Sequence, residues 1–331
     1  MKIAINGFGR IGRSAFKIAL EKGLELVAIN DLGELENLAY LLRYDSAYGK
    51  YDKKVEIREN KFLIDGREIL VLAEKDPANL PWKELEVDVV LECTGIFTDR
   101  ESCQKHLKAG AKKVIISAPT KDETVKTVVI GCNEKEITKA DDILSMASCT
   151  TNCVAPMIKV IEENFGVEKS MMSTIHSYTA TQMLVDGPGG KKDLRRGRAA
   201  AQNVVPSTTG AAVAATLTLP TLKGKFDGMA FRVPTITGSI SDIVVLTKKE
   251  TTVEEINKAL KLAAENELAG IMEVTDEPLV SKDIIGNSHS CIVQLDLTNV
   301  VGKNLVKIVG WYDNEWGYAN RLVDLTGKLW L

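Results

Sequence analysis

The segment KIAINGFGRIGR couples a short apolar run to a helical pattern on Ile11, Ala15, Ile18 and Ala19, with Gly7, Gly9 and Gly12 spaced G-x-G-x-x-G at the junction. The run ELVAIND follows, so strand, turn, helix and strand form a βαβ unit. Glycines here let the backbone turn tightly and approach a pyrophosphate, whose charge the exposed N–H groups of the helix start favour. Asp31 ends the second strand nineteen residues after Gly12, a position from which a carboxylate reaches a ribose 2′-hydroxyl. Its charge repels a 2′-phosphate, so NAD is expected rather than NADP. Arg10 and Ile11 open the helix, and a basic residue there suits phosphates.

Further strand-like runs follow at 87–95, 112–119, 127–133 and 142–148, several separated by helix-length segments. Such runs suit a parallel sheet covered on both faces. After residue 150 the strand candidates lengthen and alternate with polar residues, at 171–179, 228–235, 238–249 and 290–300, which favours a mixed or antiparallel sheet. Thr252 and Glu255 form a capping box for a helix at 252–266, and a last helix carries Tyr318, Leu322, Leu325 and Leu329. A length of 331 residues accommodates two domains.

A formal charge of -3 gives no whole-protein attraction to nucleic acid or acidic membranes, so any anion site is local. Six cysteines make no disulfide framework in a chain this long, and the start MKIAING lacks the layout of a secretory signal; a reducing, cytoplasmic setting is expected. The uncharged stretch 199–222 is broken by Gln202, Asn203, Pro206 and Pro220, so it reads as a buried helix flanked by loops rather than a membrane span.

ASCTTNC (147–153) stands where a strand candidate meets a helical pattern, so Cys149 falls at or near a helix N-terminus, where thiolate is favoured over thiol. Pro156 fits poorly in that helix. Cys153 lies one turn on, without a second ligand pair for a metal; no metal site is expected. Of three histidines, His106 and His289 read as surface or loop residues. His176 ends an apolar alternation where a strand could aim its ring at a cleft, and beside an activated cysteine it is the better base. The basic run 191–198, the segment PSTTG, Thr179 and Arg232 supply anion donors, and no aromatics interleave the run to stack bases. Singly, Lys191, Lys192, Arg196 and Arg198 could equally be solvated or make subunit contacts.

These residues resemble the phosphorylating glyceraldehyde-3-phosphate dehydrogenases along the whole chain, through INGFGRIGR, ASCTTNC, HSYTATQ, DLRR, TTGAA, RVPT and WYDNEWGY. The resemblance implies an α/β fold with a Rossmann dinucleotide-binding domain (1–148), an α+β catalytic domain with a mixed, largely antiparallel sheet (149–313), and a C-terminal helix (314–331) packing back on the first domain. It makes Cys149 the nucleophile and His176 its base. Asn314 would contact the nicotinamide carboxamide, and Gly7, Gly9, Arg10, Ile11, Gly12, Asp31, Lys75 and Thr120 the rest of NAD. Thr179 and Arg232 match the site of the substrate's C3 phosphate, and Ser148, Thr150, Thr209 and Gly210 that of inorganic phosphate. Arg195 serves one of these anions. Leu32 and Pro188 resemble residues of NAD-preferring members.

The resemblance further implies a homotetramer acting on glyceraldehyde 3-phosphate and inorganic phosphate in glycolysis, with neither membrane nor nucleic acid as partner. Erythrose-4-phosphate dehydrogenase is the alternative; aspartate semialdehyde dehydrogenase is more distant and disfavoured by Asp31. A non-catalytic NAD-sensing or RNA-binding module is disfavoured by the intact Cys149 and His176. Three departures stand out: a loop at 187–195 one residue longer than usual, Val213 in place of lysine, and Lys75 in place of arginine.

Overall fold

The computed structural model describes residues 1–189 and 193–329. The chain divides into two compact units: Met1–Val128, Glu134–Ala147 and Ala319–Leu331 form the first, and Val129–Asn133 with Ser148–Tyr318 the second. The last helix, Trp316–Thr326, therefore contributes most of its length to the first unit, where Lys22 pairs with Asp324.

In the first unit seven strands run parallel, in the spatial order Lys126–Thr127, Ile143–Ser145, Lys113–Ile116, Val89–Glu92, Lys2–Asn6, Glu25–Asn30 and Arg67–Leu72. The first strand of the sequence sits centrally, so the winding reverses beside it, as in a doubly wound dinucleotide-binding sheet. The sheet extends antiparallel through Lys61–Ile64 and Val55–Arg58. This hairpin edge had a local signal: Asp65 and Gly66 both have positive φ, +47° and +87°, and Asp-Gly is the preferred pair for such a turn. The helix Arg10–Glu21 buries Ile18 and Ala19 among its apolar positions. Of residues 127–133, expected as a strand, only Thr127 lies in one, with Val128 N still bonded to the Ser145 carbonyl; Val129–Asn133 belong to the second unit.

Register places Asn6 between Asn30 and Glu92 at the carboxyl ends of three adjacent strands. Asn30 Nδ2 donates to Asn6 Oδ1 at 2.7 Å, and Asn6 Nδ2 to Glu92 Oε2 at 2.6 Å. His106 completes the row and corrects its expected surface placement, for it is fully buried on the helix Arg100–Lys108. Trp82 Nε1–H donates to His106 Nδ1 at 3.0 Å, so a neutral ring carries its proton on Nε2 and donates to Glu92 at 3.1 Å. The polar sequence around His106 hides an inward stripe, Cys103 and His106, spaced three residues apart.

The second unit is built on an eight-stranded sheet. Its order is Val205–Thr208, Phe226–Val233, Val167–Ser177, Ser239–Thr247, Leu305–Tyr312, Cys291–Gln294 and Met272–Thr275, with Asn299–Val301 pairing separately with Leu305–Tyr312. Two of the pairings are parallel and the others antiparallel, the mixed character expected. Ser239–Thr247 alternates buried and half-buried residues along its length, so one face meets the helix Cys149–Phe165. That helix continues through Pro156. Its Met157 lies so close to Gly310 that a β-carbon there would sit 2.5 Å from the sulfur. The capping box at Thr252 forms, and the uncharged stretch yields an eight-residue helix, Ala211–Thr218. Among the described residues no helix is long and apolar enough to cross a membrane.

Candidate active site

A cavity of about 770 Å³ in the first unit is lined at the carboxyl ends of its central strands by Asn6, Asn30 and Thr94, and by the glycine turn. Each glycine has its own reason. Gly7 has φ +92°, and a β-carbon would strike Thr94 N at 2.6 Å; at Gly12 it would lie 2.0 Å from the Gly7 carbonyl. At Gly9 it would meet nothing within 4 Å, so no protein atom requires glycine there. Gly9 caps the helix start without a side-chain bond and lines the cavity, which leaves its surface open to a ligand backbone-close. Asp31 lines the same cavity and accepts from Phe8 N at 2.7 Å and Gly33 N at 2.9 Å, so it also pins the turn.

Lys75 and Leu32 also line the cavity; Arg10, Ile11, Gly12 and Thr120 do not. Arg10 instead reaches Asp45 at 2.5 Å and lies over the Tyr48 ring, while Thr120 accepts from Asp122 N. Asn6, Asn30 and Thr94 are among the wall residues that the sequence did not reveal. Their signal was position: ligands bind outside the carboxyl ends of strands where the winding reverses.

Ala147, the last residue of its segment in the first unit, adopts a left-handed conformation, φ +51°, two residues before the helix that begins at Cys149. Ser148 caps this helix by accepting from Thr151 N at 3.1 Å. Cys149 Sγ lies 3.4 Å from His176 Nε2. His176 Nδ1 is 2.7 Å from the Ser177 carbonyl, an acceptor only, so Nδ1 carries the proton and Nε2 presents its lone pair to sulfur. The ring stands edge-on to Tyr312, whose hydroxyl bridges Thr150 Oγ1 at 2.9 Å and Thr174 Oγ1 at 2.8 Å.

Burial pushes the Cys149 thiol up to about 11, against hydrogen bonding from Thr150, and pushes His176 down to about 4. Burial and the helix start thus act on the Cys149 thiol in opposite directions, and the thiol faces a ring nitrogen that can take its proton.

His176 and Arg232 occupy paired positions on adjacent strands. Arg232 Nη1 donates to Thr179 Oγ1 at 2.9 Å and Thr181 Oγ1 at 3.1 Å. Burial, with Arg196 nearby, pushes the guanidinium down to about 10, so it remains charged at neutral pH. A guanidinium held between two hydroxyls, on the strand beside His176, can receive an anion close to the thiol. The model of the glyceraldehyde 3-phosphate dehydrogenase NAD-binding domain matches residues 1–100, and that of its C-terminal domain residues 148–314.

The chain belongs to the glyceraldehyde-3-phosphate dehydrogenase family. It is 53% identical to that dehydrogenase of Geobacillus stearothermophilus, covering 99% of this chain and 98% of the relative. It is 55% identical to the Thermotoga maritima protein of the same name, over 98% and 97% respectively.

Elsewhere in this family member, Thr209 Oγ1 accepts from Ala211 N, and Gly210 caps the helix Ala211–Thr218. Thr151 Oγ1 donates to the Ala211 carbonyl at 3.3 Å, tying Thr209 and Gly210 to the helix that carries Ser148 and Cys149. Thr150, in contrast, spends its hydroxyl on Tyr312 and is buried. Arg195 is exposed; Arg196 is the arginine held in place, its Nε donating to Asp193 and Ser207 at 3.1 Å each. Lys191 and Lys192 lie outside the described residues. Thr181, Ser177, Ser239 and Tyr312 are further polar residues of this site, unread in the sequence. Thr181 had a signal, since in a strand-exit segment it stands two residues from Thr179.

Asn314 is buried, and its carbonyl oxygen accepts from Ser177 Oγ at 2.9 Å, Ser239 Oγ at 3.0 Å and Gly238 N at 3.2 Å.

Proposed function

We propose that the chain oxidises D-glyceraldehyde 3-phosphate to 1,3-bisphosphoglycerate with NAD and inorganic phosphate. The 3.4 Å approach of Cys149 Sγ to an unprotonated His176 Nε2 carries this reading, with Arg232 and Thr179 beside it for the substrate's C3 phosphate. An aldehyde releases hydride poorly. As His176 Nε2 takes the thiol proton, Cys149 sulfur attacks the carbonyl carbon and the alkoxide formed takes that proton, giving a hemithioacetal. His176 then accepts the hydroxyl proton as the carbonyl re-forms, a general-base role worth about 10²–10⁴-fold. NAD, when bound, supplies the hydride acceptor.

The product on Cys149 is a thioester, which retains oxidation energy that hydrolysis would dissipate. Phosphate held by Ser148, Thr150, Thr209 and Gly210 attacks its carbonyl carbon, and the cysteine sulfur leaves as the acyl phosphate forms. Thr150 enters this set through its backbone, because its hydroxyl is committed to Tyr312. Gly7, Gly9 and Asp31 fit NAD: the turn leaves Gly9 open for a pyrophosphate, and the Asp31 charge disfavours a 2′-phosphate. Arg10, Ile11, Gly12, Lys75 and Thr120 complete the proposed cofactor set, Gly12 by allowing the turn. Asn314 would address the nicotinamide carboxamide, and Arg195 one of the anions.

A homotetramer is supported by exposed apolar side chains in the second unit, among them Met171, Leu184, Val185 and Leu194. We place the protein in the reducing cytoplasm, where its six free cysteines, Cys149 included, stay reduced. The reading rests on the thiol. Cys149→Ser is expected to lower NADH production from the aldehyde and phosphate on the order of 10³-fold or more. Near-normal NADH production by that variant overturns the covalent mechanism. Turnover of erythrose 4-phosphate faster than of glyceraldehyde 3-phosphate overturns the substrate assignment.

A further inference from the structure

The Asn314 side-chain amide is held from one side only. Its Oδ1 accepts from two hydroxyls, Ser177 and Ser239, and from the Gly238 backbone N–H. Thr237 Oγ1 also approaches at 3.3 Å, but it has a single proton and lies closer to the Asp313 carboxylate, at 2.9 Å. Ser239 Oγ accepts from Ser177 N at 3.1 Å, which directs its own proton toward Asn314. Rotating the amide by half a turn would set its NH₂ against the Gly238 N–H, donor against donor. The orientation is therefore fixed, and Nδ2 bonds to none of the described residues.

Ser177 occupies a second place in the same arrangement. Its carbonyl takes the Nδ1 proton of His176, while its hydroxyl holds Asn314. Both Ser177 and Ser239 are buried, so neither hydroxyl has water as an alternative partner. From this geometry we infer that Ser177 and Ser239 are positioning residues that lock the Asn314 amide with its NH₂ presented as a hydrogen-bond donor to a carboxamide oxygen. Specificity for the cofactor's carboxamide then arises in a pair of serine hydroxyls behind Asn314, and Ser177 serves base and cofactor through different atoms. The inference rests on the proposed role of Asn314 at the nicotinamide.

The test compares NAD with its thionicotinamide analogue, whose sulfur accepts hydrogen bonds poorly, in the full-length wild type, Ser177→Ala and Ser239→Ala. With NAD each variant is expected to lose about 5-fold in kcat/KM, the usual worth of one neutral hydrogen bond. The wild-type preference for NAD over the analogue should shrink in both variants by a similar factor, because an amide free to turn no longer discriminates. Alkylation of Cys149 by iodoacetamide without cofactor should keep its rate and pH profile, since the Ser177 carbonyl remains. A preference unchanged while both cofactors slow equally, or alkylation slowing in step with turnover, overturns the inference. Wild-type protein that forms no NADH from the aldehyde would instead defeat the proposed function; the ratio of dissociation constants for the two cofactors then decides the serine pair's role by itself.

Discussion

The two units meet their ligand problems with different parts of the chain. The first uses backbone: three glycines, strand ends and a helix start shape the cavity, and Asp31 accepts from the Phe8 N–H of the turn and from Gly33 N–H. The second uses side chains: Cys149, His176, Tyr312, Thr150 and Asn314 form linked hydrogen bonds far apart in sequence. Binding a cofactor that carries its own reactivity asks for shape and charge. Moving protons and forming a covalent bond asks for side chains with lone pairs aimed at one another. Substitutions should therefore act on the first unit through space and on the second through chemistry.

The largest effect is expected in the second unit. His176→Asn keeps a hydrogen-bonding side chain but removes the base, and kcat should fall about 10²–10⁴-fold at neutral pH. The same substitution has a signature in stability. Burial lowers His176 from 6.5 to about 4, so between those values the unfolded chain binds more protons than the folded one. The stability tied to the neutral ring is complete above 6.5 and is lost as pH falls toward 4, on the order of 3 kcal/mol. Urea unfolding of wild type and variant across that range should show the wild type losing more stability on acidification. Parallel pH dependences would place the ring in a more solvated setting.

The glycine turn offers the complementary case. Gly12→Ala puts a β-carbon 2.0 Å from a backbone carbonyl, so the helix must shift, at about 1–3 kcal/mol by the usual cost of overpacking. Gly9→Ala strikes no protein atom. It should leave the unfolding midpoint in place while raising KM for NAD about 10-fold, roughly 1.4 kcal/mol of lost affinity. An unaltered KM, measured by steady-state kinetics, would mean that no ligand approaches Gly9 closely and that shape is not how this unit recognises its cofactor.

The same contrast explains what could be read in advance. Gly7, Gly9, Gly12 and Asp31 lie within one short segment, and local spacing carries their geometry. Cys149 and His176 were legible as types in a context, but their tautomer and protonation were not, because the Ser177 carbonyl and the extent of burial come from the assembled sheet. His106 failed for a related reason: its helix is polar overall, and only tertiary packing turns Cys103 and His106 toward Trp82 and Glu92. The serine pair around Asn314 was invisible, since Ser177, Ser239 and Asn314 meet only through strand register and the turn after Tyr312.

The smallest effect expected tests whether charge adds to shape in the first unit. Asp31→Asn preserves one acceptor oxygen for the Phe8 or Gly33 N–H and removes the negative charge. Two like charges at about 4 Å repel by ~1 kcal/mol in water, so loss of the charge should improve kcat/KM for NADP about 5-fold. NAD should lose a little, because the amide replaces an ionised acceptor for the ribose hydroxyl. Raising the salt concentration separates the two contributions: screening should narrow the wild type's discrimination against NADP and leave the variant's nearly constant. Discrimination that survives both the substitution and high salt would assign the choice of cofactor to the wall around Leu32 and Lys75, and make the first unit's selectivity steric throughout.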